Sequence, residues 1–109
     1  MHNYKIIIEY DGTNFVGWQQ QENGQSIQST LQEALVKLSN EKVSIFGAGR
    51  TDAGVHAYGQ VASFTLSKKI ETDVIRDGLN QHLRPYPISV QKAELVEDDF
   101  HARFSAKKR

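Results

Sequence analysis

The residues best suited to chemistry lie between Gly47 and Gly59, in the run GAGRTDAGVHAYG. This run holds the guanidinium of Arg50, the carboxylate of Asp52 and the imidazole of His56 among four glycines. Glycine permits positive φ and close backbone approach, so such a segment can leave a sheet and direct polar side chains at a ligand. The alternative is a long connection in which Arg50 and Asp52 only form a surface ion pair, which would contribute less than about 1 kcal/mol to stability. The concentration of special residues favours a site.

Asp52 has the widest range of chemical roles in this run, since a carboxylate can be a nucleophile, a general base or a metal ligand. A zinc site is disfavoured because it needs at least three protein ligands, and Asp52 and His56 are the only close ones. A phosphate-binding loop is disfavoured because neither its glycine spacing nor a helix start follows Gly49. The role of nucleophile or general base therefore remains for Asp52. Arg50 is near enough in sequence to hold its carboxylate ionised.

Composition narrows the class of protein. The 109 residues fit one domain, and thirteen basic residues balance thirteen acidic ones, so any nucleic-acid partner must be held by local patches. The absence of cysteine excludes disulfides, thiolate nucleophiles and zinc knuckles. The N-terminal apolar run is three isoleucines, too short for a signal peptide or a membrane span. We therefore expect a soluble cytoplasmic domain with no membrane association.

The elements that must position the run follow from hydrophobic periodicity. Alternation predicts strands at residues 4–10, 43–46 and 60–66, with a loop at 13–25. A last strand begins at Ile88, where a change of phase suggests a bulge near Lys92.

Two helices are predicted between these strands. Ser26 can cap the first, although Ser29 offers a competing start, and Asn40 is a suitable end. Glu71 or Thr72 caps the second, which the following prolines must end. Its inward residues are expected to be Val74, Ile75, Leu79 and Leu83. The order βαββαβ is the ferredoxin-like α+β arrangement, an antiparallel sheet backed by two helices whose other face is either polar or covered by something else.

Four short motifs along the chain are together characteristic of one family. They are YDGT at 10–13 with Phe15 and GWQ at 17–19, GRTDAGVHA at 49–57 continued by GQVA and Phe64, Leu79-Asn80, and FHARFSA at 100–106. In this order they resemble the N-terminal domain of the TruA-type tRNA pseudouridine synthases, over essentially the whole chain.

The resemblance implies an isomerase that converts uridine to pseudouridine in the anticodon stem-loop of tRNA, without metal or cofactor. Asp52 would be the essential carboxylate, and Arg50 would pair with it and assist in flipping the base, which costs a few kcal/mol. The full-length enzyme would be a homodimer. Further candidates for RNA binding or for ordering the loop are Thr51, Gly54, His56 and Arg103.

One feature of the family has no counterpart in this sequence. The family's uracil-stacking tyrosine lies beyond the segment at 100–106, in a second domain, and none of the four tyrosines here matches it. We therefore expect residues 1–109 to be the N-terminal catalytic-aspartate domain, with 97–109 an inter-domain segment or tail. Such a chain should fold without catalysing alone.

Two other classes share the predicted order of elements. RNA-recognition motifs stack bases on aromatic residues of the third strand, and Tyr58, Gly59, Val61 and Phe64 faintly resemble that strand, although the basic residue and the aromatic spacing differ. A small-metabolite domain would agree with the neutral charge, but it rests on fold analogy alone.

Overall fold

A computed structural model describes residues 1–11, 26–47 and 57–97 of the chain. The elements in order are β1 His2–Tyr10, α1 Ile27–Ser39, β2 Ile45–Gly47, β3 Ala57–Leu66, α2 Thr72–Leu83 and β4 Ile88–Val96. The predicted order βαββαβ is confirmed. β2 begins two residues later than predicted and includes Gly47, whereas β3 begins three residues earlier. The loop predicted at 13–25 lies outside the described residues.

The four strands form one antiparallel sheet in the order β2-β3-β1-β4. This is the order of a ferredoxin-like fold, so the α+β prediction is confirmed. β1 and β3 are central, and β2 and β4 are the edges. In the described part of the chain, no helix is long and apolar enough to cross a membrane.

Alternation along the central strands creates the core between one sheet face and the helices. Tyr4, Ile6 and Ile8 of β1 are fully buried, as the strand pattern requires. The ring of Phe64 stacks on Tyr4 at a centroid distance of 5.5 Å. The Tyr4 hydroxyl donates to the Ile70 carbonyl and accepts from the Ile70 N–H, each at 2.9 Å. One buried tyrosine thus fastens β1 to the segment that leads into α2.

Helix α1 begins at a complete capping box. The Ser29 N–H donates to Ser26 Oγ at 3.0 Å, and the Ser26 N–H donates to Ser29 Oγ at 3.3 Å. Ser26 is therefore the N-cap and Ser29 the third helical residue, so the competing start at Ser29 is wrong. Asn40 ends the helix at φ 58°, a left-handed conformation that asparagine tolerates.

Helix α2 packs closely against α1. Ile75, Leu79 and Leu83 are buried as predicted, but Val74 is 49% exposed. The three buried residues recur every four positions and form one stripe, whereas Val74 is rotated about 100° from it. A Cβ on Gly78 would lie 2.6 Å from Leu38 Cδ1. The glycine therefore leaves room for the Leu38 side chain of α1, which would have to move if a Cβ were present.

The predicted bulge in β4 is present. Ile7 pairs with Lys92 and the next residue, Ile8, pairs with Val90, which leaves Gln91 as the extra residue. The bulge reverses the phase of the strand. Ala93 consequently returns to the core face and packs against the buried cluster.

Candidate active site

The predicted catalytic run connects the adjacent strands β2 and β3. Its central part, residues 48–56, lies outside the described residues. That part contains Arg50, Thr51, Asp52, Gly54 and His56, and Arg103 likewise falls outside them. The structure describes the two anchors of the run, Gly47 and Ala57.

The first anchor is the end of an edge strand. Gly47 is a ladder residue that pairs with Ala62, and its φ is not positive. Ala57 pairs with Tyr10 and Ala62 pairs with Ile6, four residues away on β1, so the two anchors are separated along the sheet by about 13 Å. β2 has three residues and pairs with β3 alone. The position from which the run leaves the sheet therefore depends on how this short strand is held.

Ile45, two residues before Gly47, is fixed from the helix side. Its side chain is fully buried in the core. Its N–H donates to Gln32 Oε1 at 3.2 Å, and its carbonyl accepts from Gln28 Nε2 at 2.9 Å. Both glutamines belong to α1, four residues apart and hence on the same helix face. Sequence reasoning missed this contact, because a glutamine on a helix carries no signal of a partner 13 or 17 residues away.

The second anchor rests on the central strand. Ala57 pairs with Tyr10, so the last residue of the motif at 49–57 lies beside the first residue of the motif at 10–13. Tyr10 also pairs with Ile88, and the N–H of Asp11 donates to the Pro87 carbonyl at 3.0 Å. The start of β3, the end of β1 and the start of β4 therefore meet at one end of the sheet. Two motifs that are distant in sequence converge there.

A glycine bulge lies next to this anchor. Glu9 pairs with Tyr58 and Ile8 pairs with Gln60, so Gly59 is the extra residue, at φ 79°. A Cβ at Gly59 would meet nothing within 4 Å, which means that the requirement is conformational rather than steric. Bulges of this kind redirect a strand and are frequent beside active sites. The sequence suggests positive φ for Gly47, Gly49 and Gly54; Gly47 does not have it, Gly49 and Gly54 lie outside the described residues, and the bulge at Gly59 was not predicted.

The sheet face opposite the helices carries charged residues. Glu94 accepts from Lys92 Nζ at 2.7 Å and from Lys5 Nζ at 3.2 Å. The bond from Lys92, and to a smaller extent the bond from Lys5, holds the pKa of the Glu94 carboxyl below its ordinary value. Phe46 lies on the same face and is 42% exposed. The face is therefore mixed, with an ion-pair cluster on β1 and β4 and an aromatic ring near the first anchor.

Two alternative kinds of site can be compared with the structure. Phe64 of β3 is 1% exposed and faces the helices, so it cannot stack a base as an RNA-recognition motif requires. Within residues 1–11, 26–47 and 57–97, no three histidine, cysteine, aspartate or glutamate side chains are placed to hold a metal ion.

Comparison with known proteins connects this framework to one family. Residues 6–105 match the family model described as tRNA pseudouridine synthase. The chain is 57% identical over 109 residues to tRNA pseudouridine synthase A of Afipia carboxidovorans, 55% over 107 residues to that of Ehrlichia ruminantium, and 52% over 109 residues to that of Parvibaculum lavamentivorans. These matches cover 97–100% of the chain and 44% of each relative, so the chain spans less than half the length of these curated relatives. The chain belongs to the tRNA pseudouridine synthase family.

Proposed function

We propose that this chain supplies the catalytic aspartate of an enzyme that isomerises uridine to pseudouridine in tRNA. The observation that carries the proposal is the family match over residues 6–105, which includes the whole run at 47–59. The convergence of the motifs at Tyr10 and Ala57 supports it, because residues that are distant in sequence become neighbours at an anchor of that run.

In the proposed reaction, the bond from N1 of uracil to C1′ of the ribose breaks and a bond from C5 to the same carbon forms. The proton on C5 is released and N1 gains a proton, so atoms and electrons balance without a co-reactant. Asp52 provides the carboxylate that acts on the nucleotide, as nucleophile or as base. A paired base is inaccessible to that carboxylate, and extruding it from the stack costs a few kcal/mol.

The other predicted site residues take supporting roles in this proposal. Arg50 pairs with Asp52, keeps it ionised and assists in extruding the base. A guanidinium also suits contacts to the phosphate backbone, which supply a large share of the affinity for nucleic acid. The remaining candidates bind RNA or order the run, and they are Thr51, Gly54, His56 and Arg103.

The test is the substitution Asp52→Asn in the full-length protein. Transfer RNA labelled with tritium at C5 of uridine releases tritium to water once for each isomerisation. We expect release by the natural protein and none by the variant, while both bind the tRNA equally. Asp77→Asn is a matched control, because Asp77 lies exposed on α2 and forms its ion pair with the neighbouring Arg76. Full activity of Asp52→Asn would overturn the assignment of Asp52, and a natural protein that releases no tritium would overturn the function.

The substrate and the assembly are further parts of the proposal. The substrate site is the anticodon stem-loop, so an isolated stem-loop should compete with whole tRNA, and binding should weaken as salt rises. The full-length protein is a homodimer, which light scattering after gel filtration would measure. Residues 1–109 form the N-terminal catalytic-aspartate domain, and residues 97–109 join it to the second. The 109-residue chain alone should therefore release no tritium, and multiple turnovers by it would contradict this division.

A further inference from the structure

We propose that Gln28 and Gln32 of α1 are positioning residues that fix where the catalytic run leaves the sheet. They act through Ile45 of β2, whose backbone they bond on the side that faces away from β3. This inference rests on the proposed function, since it concerns the placement of Asp52 for that reaction.

The first step of the argument is the geometry of the edge strand. In an antiparallel ladder, the N–H and C=O of one residue point to the same side of the strand. The Ile45 N–H donates to Gln32 at 3.2 Å, so this residue faces α1 rather than β3. Its carbonyl then faces α1 as well and accepts from Gln28 at 2.9 Å. The two glutamines therefore hold both outward backbone groups of the only β2 residue that is buried.

The second step concerns what these bonds control. Gly47 comes two residues after Ile45, and Asp52 comes seven residues after Ile45. The other anchor, Ala57, is paired to the central strand β1. Gly47, in contrast, is the last residue of the three-residue edge strand β2. A shift of β2 would therefore move one end of the catalytic run while the other stays in place. Misplacing a catalytic group by about 1 Å can cost a hundredfold in rate.

The third step is the identity of the residue at position 28. Gln28 is the second residue of α1, where the helix dipole favours a carboxylate. The first turn nevertheless contains no acidic residue. A glutamate at position 28 would place an acceptor against the Ile45 carbonyl, whereas glutamine supplies the donor that this carbonyl needs. The amide is the chemically required group even though the helix alone would favour a carboxylate.

This asymmetry gives a matched pair of variants in the full-length protein. Gln28→Glu removes the donor to the Ile45 carbonyl. Gln32→Glu preserves an acceptor for the Ile45 N–H, with the same change of charge on the same helix. We expect Gln28→Glu to lower kcat about tenfold with little change in KM, and Gln32→Glu to lower it less than about twofold. Glu33→Gln, an exposed neighbour that lies outside this contact, serves as the unaffected control.

Two more variants keep the test decisive if Gln28→Glu folds poorly. Gln28→Met removes the donor without adding charge and should lose kcat as Gln28→Glu does. Gln28→Lys retains a donor and should restore at least half of the natural kcat. Melting temperatures measured on the same samples identify any variant that loses activity by unfolding.

Amide hydrogen exchange supplies a readout besides activity. The Ile45 amide should exchange at least about tenfold faster in Gln28→Glu than in Gln32→Glu, because the strand is released in only one of them. Equal kcat and equal exchange in these two variants would overturn the inference. So would self-association of Gln28→Met at unchanged kcat, which would mean that the glutamines only shield the sheet edge. If the natural protein is inactive on tRNA, the proposed function fails and the positioning role fails with it. Faster exchange in Gln28→Glu would then still establish the contact alone.

Discussion

Asn80 of α2 bonds the other edge of the sheet, and replacing it with alanine tests how strongly such a bond stabilises the fold. Its Nδ2 donates to the Val90 carbonyl at 3.1 Å, and its Oδ1 accepts from the Val90 N–H at 2.7 Å. Val90 belongs to the edge strand β4 and is 2% exposed. One side chain thus satisfies both outward backbone groups of a buried strand residue.

The expected loss in the free energy of unfolding follows from these two hydrogen bonds. Each net hydrogen bond contributes about 0.5–1.5 kcal/mol, so the pair contributes about 2 kcal/mol. Alanine is the better helix former by roughly 0.6 kcal/mol, which offsets part of the loss. We therefore expect Asn80→Ala to lower the free energy of unfolding by about 1.5 kcal/mol.

Urea unfolding of the 109-residue chain measures this difference. With a slope of about 1.5 kcal/mol per molar urea, the midpoint should fall by about 1 M. Gln81→Ala is the matched control, since Gln81 is the neighbouring amide residue on α2 and is exposed. Its midpoint should move by less than about 0.3 M, because most exposed substitutions stay within about 0.5 kcal/mol.

Amide exchange at Val90 locates the effect. The Val90 N–H should lose protection in Asn80→Ala and keep it in Gln81→Ala. The reasoning is refuted if the two variants unfold at the same urea concentration, for water would then replace the side-chain amide at no cost.

Two further predictions concern a contact between β1 and the loop before α2, and a contact between the loops that follow α1 and β3. Tyr4→Phe should lower the free energy of unfolding by about 2 kcal/mol, because it leaves the N–H and carbonyl of Ile70 without their shared hydroxyl partner. Urea unfolding measures this loss, and an unchanged exchange rate of the Ile70 amide would contradict the prediction. Glu41 accepts from the Ser67 N–H at 2.9 Å and from its hydroxyl at 2.8 Å, which holds the pKa of Glu41 below its ordinary value of 4.5. Its contribution is therefore complete above that value and is lost as the pH falls below it, so the urea midpoints of the natural chain and Glu41→Gln should converge between pH 6 and pH 3. A difference that stays constant over this range would disprove the linkage.

Local sequence signals predicted the elements of this fold well. The Ser26 cap, the left-handed Asn40 and the bulge beside Lys92 each depend on residues within one turn or one strand, so their signals lie in the sequence itself. The error at Val74 has a physical cause, since an apolar residue beside the buried stripe of a helix is not required to be buried.

The sequence contains no such local signal for contacts between a helix and a strand. Asn80 belongs to one of the four motifs, but nothing in the sequence predicts that Gln28 or Asn80 bonds the backbone of an edge strand. The sequence around Gly59 predicts no bulge, although its φ of 79° makes it the bulged residue beside an anchor of the predicted catalytic run. For the site itself, the sequence predicts Asp52 and its neighbours, and the structure adds the frame that holds both ends of their segment.

The amide bonds at the two sheet edges also restrict how the strands can move. Along a strand, the residues whose N–H and C=O face outward alternate with those that face the neighbouring strand. If β2 slid by one residue, Ile45 would turn its backbone groups toward β3 and its buried side chain toward the open face. Both glutamine bonds and the burial of Ile45 would be lost together. Helix α1 therefore specifies the register of β2 as well as its position, and through that register it determines which residue begins the predicted catalytic run.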